Sequence, residues 1–221
     1  MMKKLMIIGL MWMIILGVMA AAECAPKPEG IIAWWHYENV LQGKDIIGGY
    51  SISKPNGAEY VLGKVGYGIN FDGVNQYCPV NPNTNLNGIY TIEGWIKPAD
   101  LNGFRTIVSK YDINGKATEK SWYLQTINGD LKAGVQSEKG GFVIQSSGSP
   151  IKKDIWQHVA MVYNYKAKLI KLYVNGAEIQ AIINGGGDNT YGVLKESTTP
   201  VLIGAWYSDS NVVGGYWKGI I

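Results

Sequence analysis

Two Asn-Gly pairs, each set between short runs of alternating apolar and polar residues, restrict this chain more than any other feature. Lys168-Leu169-Ile170-Lys171-Leu172-Tyr173-Val174 leads into Asn175-Gly176 and then Ala177-Glu178-Ile179. Asn-Gly accepts positive φ at both central positions of a tight hairpin, which the twist of the flanking strands demands. A period of two places Ile170, Leu172 and Val174 on one face, toward a core, and Lys171 and Tyr173 on the other. Tyr123–Ile127, Asn128-Gly129 and Leu131–Val135 repeat the same design. The chain is therefore written as antiparallel hairpins.

Further short runs bounded by turn residues predict strands at Ile31–Trp35, Gly68–Phe71, Gln76–Val80, Tyr90–Lys97, Phe104–Lys110, Phe142–Ser146, Trp156–Asn164, Glu178–Ile182, Pro200–Ala205 and Tyr216–Ile221. In Tyr90–Lys97, Tyr90, Ile92 and Ile96 share one face, and Thr91, Glu93, Trp95 and Lys97 the other. A composition with 14 Tyr, 8 Trp and 29 Gly suits strands and turns rather than helices. The fold class expected is all-β, a two-sheet antiparallel sandwich, in one domain over residues 31–221.

The first 22 residues have the layout of a secretory signal. Lys3 and Lys4 are the positive start, Leu5–Met19 the apolar stretch, and Ala20-Ala21-Ala22 the small residues before cleavage at Glu23. The apolar stretch is short for a membrane span. A secreted chain with no membrane span after processing is expected, opening on a linker over residues 23–30. The net charge of +3 falls to +1 without Lys3 and Lys4, which leaves no electrostatic footprint for nucleic acid. Cys24 and Cys78 either form a disulfide or remain two thiols, and they are too few for a disulfide scaffold. His36 and His158 stand too far apart in sequence to suggest a metal cluster by themselves.

Several blocks carry a family likeness. Ala33-Trp34-Trp35, Gly63-Lys64-Val65-Gly66 and Ile69-Asn70-Phe71-Asp72-Gly73 resemble the opening of the laminin-G-like, concanavalin A-like jelly rolls of bacterial and archaeal secreted proteins. Thr91-Ile92-Glu93-Gly94-Trp95-Ile96-Lys97-Pro98, Trp156-Gln157-His158-Val159-Ala160, Leu172-Tyr173-Val174-Asn175-Gly176, Leu202-Ile203-Gly204 and Trp217-Lys218-Gly219-Ile220-Ile221 resemble later blocks, in the family's order. In that family the last block runs on into an acidic pair and a further strand, whereas this sequence stops at Ile221. The resemblance thus implies a jelly roll apparently lacking its final strand, with an open edge beside Ile31–Trp35. It also implies a recognition module with a glycan or cell-surface ligand, as one part of a longer chain.

The same fold houses glycoside hydrolases, which need paired carboxylates about 5 Å apart. Glu93 stands alone between Thr91 and Trp95, and no strand alternates carboxylates. His158 reads as a packed histidine. The family often holds calcium, and Glu38 and Asp45 are the candidate ligands here, because hard cations take carboxylate oxygens. The candidate carbohydrate contacts are Trp206, Tyr207, Asp209 and Asn211. They mix aromatic faces for pyranose rings with polar groups for hydroxyls, on an expected loop. Trp34, Trp35, Trp95 and Trp156 are expected in the core. The expected function is a non-catalytic, secreted carbohydrate-binding or adhesion module; the alternatives are a degenerate hydrolase domain or a structural spacer.

Overall fold

The computed structural model describes residues 29–35, 45–52, 57–81, 85–86, 88–115, 119–184, 190–208 and 212–221. Contacts divide the chain into Met1–Ile31 and Ile32–Ile221, and the fold below is that of the second unit. Its strands are β1 (Ser51–Ile52), β2 (Glu59–Leu62), β3 (Tyr67–Asp72), β4 (Cys78–Asn81), β5 (Ile89–Pro98) and β6 (Phe104–Tyr111). Then come β7 (Lys120–Ile127), β8 (Asp130–Ser137), β9 (Gly140–Ser146), β10 (Gln157–Asn164), β11 (Leu169–Val174) and β12 (Ala177–Glu178). The rest are β13 (Ala181–Asn184), β14 (Val201–Ile203), β15 (Trp206–Tyr207), β16 (Val213–Gly214) and β17 (Lys218–Ile220). Among the described residues no helix is long and apolar enough to cross a membrane.

Two antiparallel sheets form a jelly-roll sandwich. One has eight strands in the order β1-β4-β14-β6-β7-β8-β9-β13, the other seven in the order β12-β11-β10-β5-β17-β3-β2. Both Asn-Gly turns take positive φ, at Asn128 and Gly129 and at Asn175 and Gly176, as the hairpin argument requires. The core lies between the sheets. Trp122, Leu124, Leu131 and Ala133 enter from the eight-stranded side, and Ile96, Val159, Met161 and Leu172 from the other. Burial of each large apolar side chain stabilises by roughly 1.5–3 kcal/mol. Ile170, Leu172 and Val174 are all buried, and Lys171 reaches outward to Glu178 at 2.6 Å.

Two expectations change. Ile31–Trp35 forms no strand, because its Trp34 amide is drawn to the Asp45 side chain instead of a sheet partner. The expected strand Glu178–Ile182 is two strands. β12 pairs with β11 in one sheet, and β13 pairs with β9 in the other. The chain thus changes sheets at Ile179-Gln180. In the seven-stranded sheet β17 is an interior strand. It pairs with β3 through Lys218, Gly219 and Ile220 and with β5 through Gly219 and Ile220, and Ile221 exchanges both backbone bonds with Ile69.

Candidate functional site

Along β7 the side chains alternate. Trp122 and Leu124 enter the core, while Tyr123 and Gln125 take the opposite, outer face. On β8, Leu131 and Ala133 point in, and Lys132 and Gly134 point out. The register sets Gln125 opposite Lys132 and Tyr123 opposite Gly134. A Cβ at Gly134 would lie 2.3 Å from Cε1 of Tyr123 and 2.4 Å from its Cζ. Only a glycine there lets the phenol ring lie across the sheet.

A strap crosses this outer face. The chain leaves β14 at Gly204, and its backbone carbonyls then bind along β6. Ala205 O accepts from Ser109 Oγ at 2.9 Å, and Tyr207 O from the Ile113 amide at 2.9 Å. On the return, Gly215 O accepts from the Thr106 amide at 2.8 Å and Tyr216 O from Arg105 Nη1 at 3.0 Å. β15 and β16 form the ribbon between, pairing Trp206 with Gly214 and Tyr207 with Val213. Ser109 and Leu202, cross-strand partners on β6 and β14, are completely covered.

Where the strap ends, aromatic rings line a cleft of about 70 Å³. Trp206 meets Phe104 edge to face at 5.6 Å, and Tyr111 meets Tyr123 the same way at 5.1 Å. Ile113, Gln125 and Lys132 complete the lining. Gln125 is 3% exposed, whereas Phe104 is 42% exposed at the rim. The Lys132 ammonium lies 5.0 Å from the Phe104 ring centre, and Lys120 lies 5.8 Å from that of Tyr111. Burial draws the Lys132 pKa below its ordinary value and pushes the Tyr111 phenol up. Burial, with Tyr111 beside it, pushes Tyr123 up as well. Both phenols stay neutral at physiological pH.

Of the residues picked from sequence, Trp206 lines this cleft. Tyr207, next along β15, is outside the lining; its phenol is pushed up by burial and by Tyr77. Asp209 and Asn211 lie outside the described residues, as do Glu38, His36 and Cys24. Asp45 is 6% exposed and accepts the backbone amides of Trp34, Ile47 (3.0 Å), Gly48 and Tyr50 (3.3 Å). Those donors occupy the lone pairs a cation would use, so Asp45 fits an organiser of its loop better than a calcium ligand. Among the described residues no three His, Cys, Asp or Glu side chains come together for a metal. Cys78 is a fully buried free thiol with its pKa pushed up to about 12 by that burial. Trp95 departs from its expected core place: it is 36% exposed, with His158 edge-on at 5.3 Å and Lys64 over its ring. The reason is the pleat, since Ile96 takes the inward position beside it. Glu93 is exposed and opposite Ala160 on β10. Phe104, Tyr111, Tyr123, Gln125 and Lys132 were not singled out from sequence. Alternation in the β7–β8 hairpin carries the signal for three of them.

The family described as the Concanavalin A-like lectin/glucanases superfamily, of the laminin G type, matches residues 72–221. The chain belongs to this superfamily. A comparison with curated protein sequences found no match. Among solved structures, this superfamily member is similar to the binding domain of Paraclostridial Mosquitocidal Protein 1. That match has a TM-score of 0.57 and 22% identity, over 72% of this chain and 41% of that one. It is also similar to the receptor binding domain of botulinum neurotoxin D, with a TM-score of 0.51 and 16% identity, over 80% of this chain and 45% of that one. The chain spans less than half the length of either structure, and at these identities the likeness is one of fold.

Proposed function

We propose that this domain is a non-catalytic glycan-binding module and that the cleft beside Trp206 is its contact site. The observation that carries the reading is the pairing of the Trp206 and Phe104 rings with the amide of Gln125 and the ammonium of Lys132 in one cleft lining. Aromatic walls with a few convergent polar groups are a lining that small-ligand sites share, and at about 70 Å³ the cleft sets its flat rings against one C–H face of a pyranose rather than enclosing it. The described residues that line the cleft include no carboxylate, so nothing there supplies the acid and nucleophile of glycoside hydrolysis. The same sandwich serves as a receptor-binding domain in the neurotoxin structure, which lends the reading the support of fold alone. Secretion rests on the signal-like layout of residues 1–22, and adhesion as part of a longer chain rests on the family resemblance.

A glycan array probed with the purified protein tests this. Binding to a defined set of glycans is expected, weakened at least about tenfold by Trp206→Ala, a change of about 1.4 kcal/mol, with the thermal midpoint unchanged. An array without a single hit favours the structural spacer. Release of reducing sugar from β-glucans, lost in Glu93→Gln, favours the hydrolase.

A further inference from the structure

We infer that the cleft selects acidic glycans, with Lys132 as the group that binds the sugar's anion and Lys120 adding to the local positive field. This rests on the glycan-binding reading above and names its ligand class. Three observations lead to it. First, Lys132 lines the cleft with its ammonium beside the Phe104 ring, so a pyranose against Trp206 and Phe104 lies within reach of it. Second, that ammonium has no anionic partner. Among the described residues no ion pair and no side-chain hydrogen bond involves the ammonium of Lys132 or of Lys120. Third, the nearest carboxylate on the same strand is committed elsewhere. Asp130 accepts from Ser146 Oγ at 3.2 Å, from the Ser149 amide at 2.9 Å and from Gln145 Nε2 at 3.3 Å.

The strands flanking Lys132 show the same preference. Its cross-strand neighbours are Gln125 on β7 and Gln145 on β9. A carboxylate at either position would neutralise it across the ladder, and neutral amides leave the charge available. A partly buried ammonium without a counter-ion is costly, and an incoming anion removes that cost. A charge-assisted hydrogen bond to it is about twice as strong as a neutral one. Burial also lowers the pKa of Lys132, which fits an ammonium waiting for an anion. The anion is a uronate carboxylate or a sulfate ester, since both present the same charged oxygens.

The test is a calorimetric titration with three probes of matched length: a neutral gluco-oligosaccharide, an oligogalacturonate, and a sulfated carrageenan oligosaccharide. The expected result is tighter binding of at least one charged probe than of the neutral one, with that preference weakening as salt rises. Lys132→Gln should cut the preference about tenfold, whereas Lys132→Arg should keep it and the distant Lys153→Gln should not alter it. Comparing the two charged probes tells carboxylate from sulfate. If the neutral probe binds as well as both charged ones, or if Lys132→Gln keeps the preference, the acidic-ligand inference is wrong and the glycan-binding reading stands. If no probe binds and the array is also empty, both fall together.

Discussion

Asp45 shows how one side chain fixes a loop. Its carboxylate collects four backbone amides, from Trp34, Ile47, Gly48 and Tyr50, and so ties residues 45–50 to the segment before them. Burial raises its pKa, but the four donors more than offset that, so the group lies below its ordinary value of 3.8. A folded pKa below the unfolded one means that the stabilisation is complete above the unfolded value and is lost as pH falls through the folded one. Asp45→Ala should destabilise by about 1–3 kcal/mol at neutral pH, because the amides lose their acceptor. Asp45→Asn should flatten the acid side of a thermal-midpoint profile below about pH 4. A profile identical to wild type in both variants would remove the organising role. Sequence suggested this residue for its carboxylate, but the same oxygens serve amide hydrogens. Nothing in the order Asp45-Ile46-Ile47-Gly48-Gly49-Tyr50 announces that Trp34 will turn its amide toward them.

At the scale of elements, the β7–β8 hairpin decides the cleft. Its turn and alternation were legible, because Asn128-Gly129 fixes the register and the register fixes which side chains share a face. The amino-acid order alone thus suffices to put Tyr123, Gln125 and Lys132 on one face. It does not suffice for Phe104 and Trp206, since their meeting depends on how the strap folds back over β6, and strap contacts are made through backbone carbonyls that any sequence possesses. The switch of sheets at Ile179-Gln180 was hidden for a similar reason: Glu178–Ile182 alternates equally well whichever sheet accepts each half. Gly134 links hairpin to cleft. Gly134→Ala places a methyl against the Tyr123 ring, which must swing away from the sheet. The expected cost is about 1–3 kcal/mol, as for other overpacked sites, together with weaker glycan binding. Chemical denaturation and the calorimetric titration measure the two effects. Full binding by a normally stable variant would show that the ring does not shape the cleft.

For the whole molecule, Trp217 is the joint between the two sheets. It is completely buried just ahead of β17, and its amide donates to Gly204 O at 2.8 Å, at the end of β14 in the other sheet. Trp217→Ala should therefore cost about 3–5 kcal/mol, as other large-to-small changes in cores do. Since domains are stable by only about 5–15 kcal/mol, cooperative melting should weaken or vanish. A melting curve superposable on wild type would contradict this. The two-sheet architecture was readable from hairpins and family blocks, because alternation and turn chemistry are local. The place of Lys218–Ile220 was not, because an apolar run fits an edge and a centre alike. That placement has a consequence in time. β3 and β5 emerge from the ribosome early, yet they are joined only through a strand made much later, with Asp72 waiting for Lys218 and Lys97 for Ile220. The strand order leaves between β3 and β5 a slot that only β17 fills. Pairings this distant along the chain slow folding. Burial of the Trp217 indole, followed by its fluorescence during refolding, should come in the slowest phase, as the slot is filled.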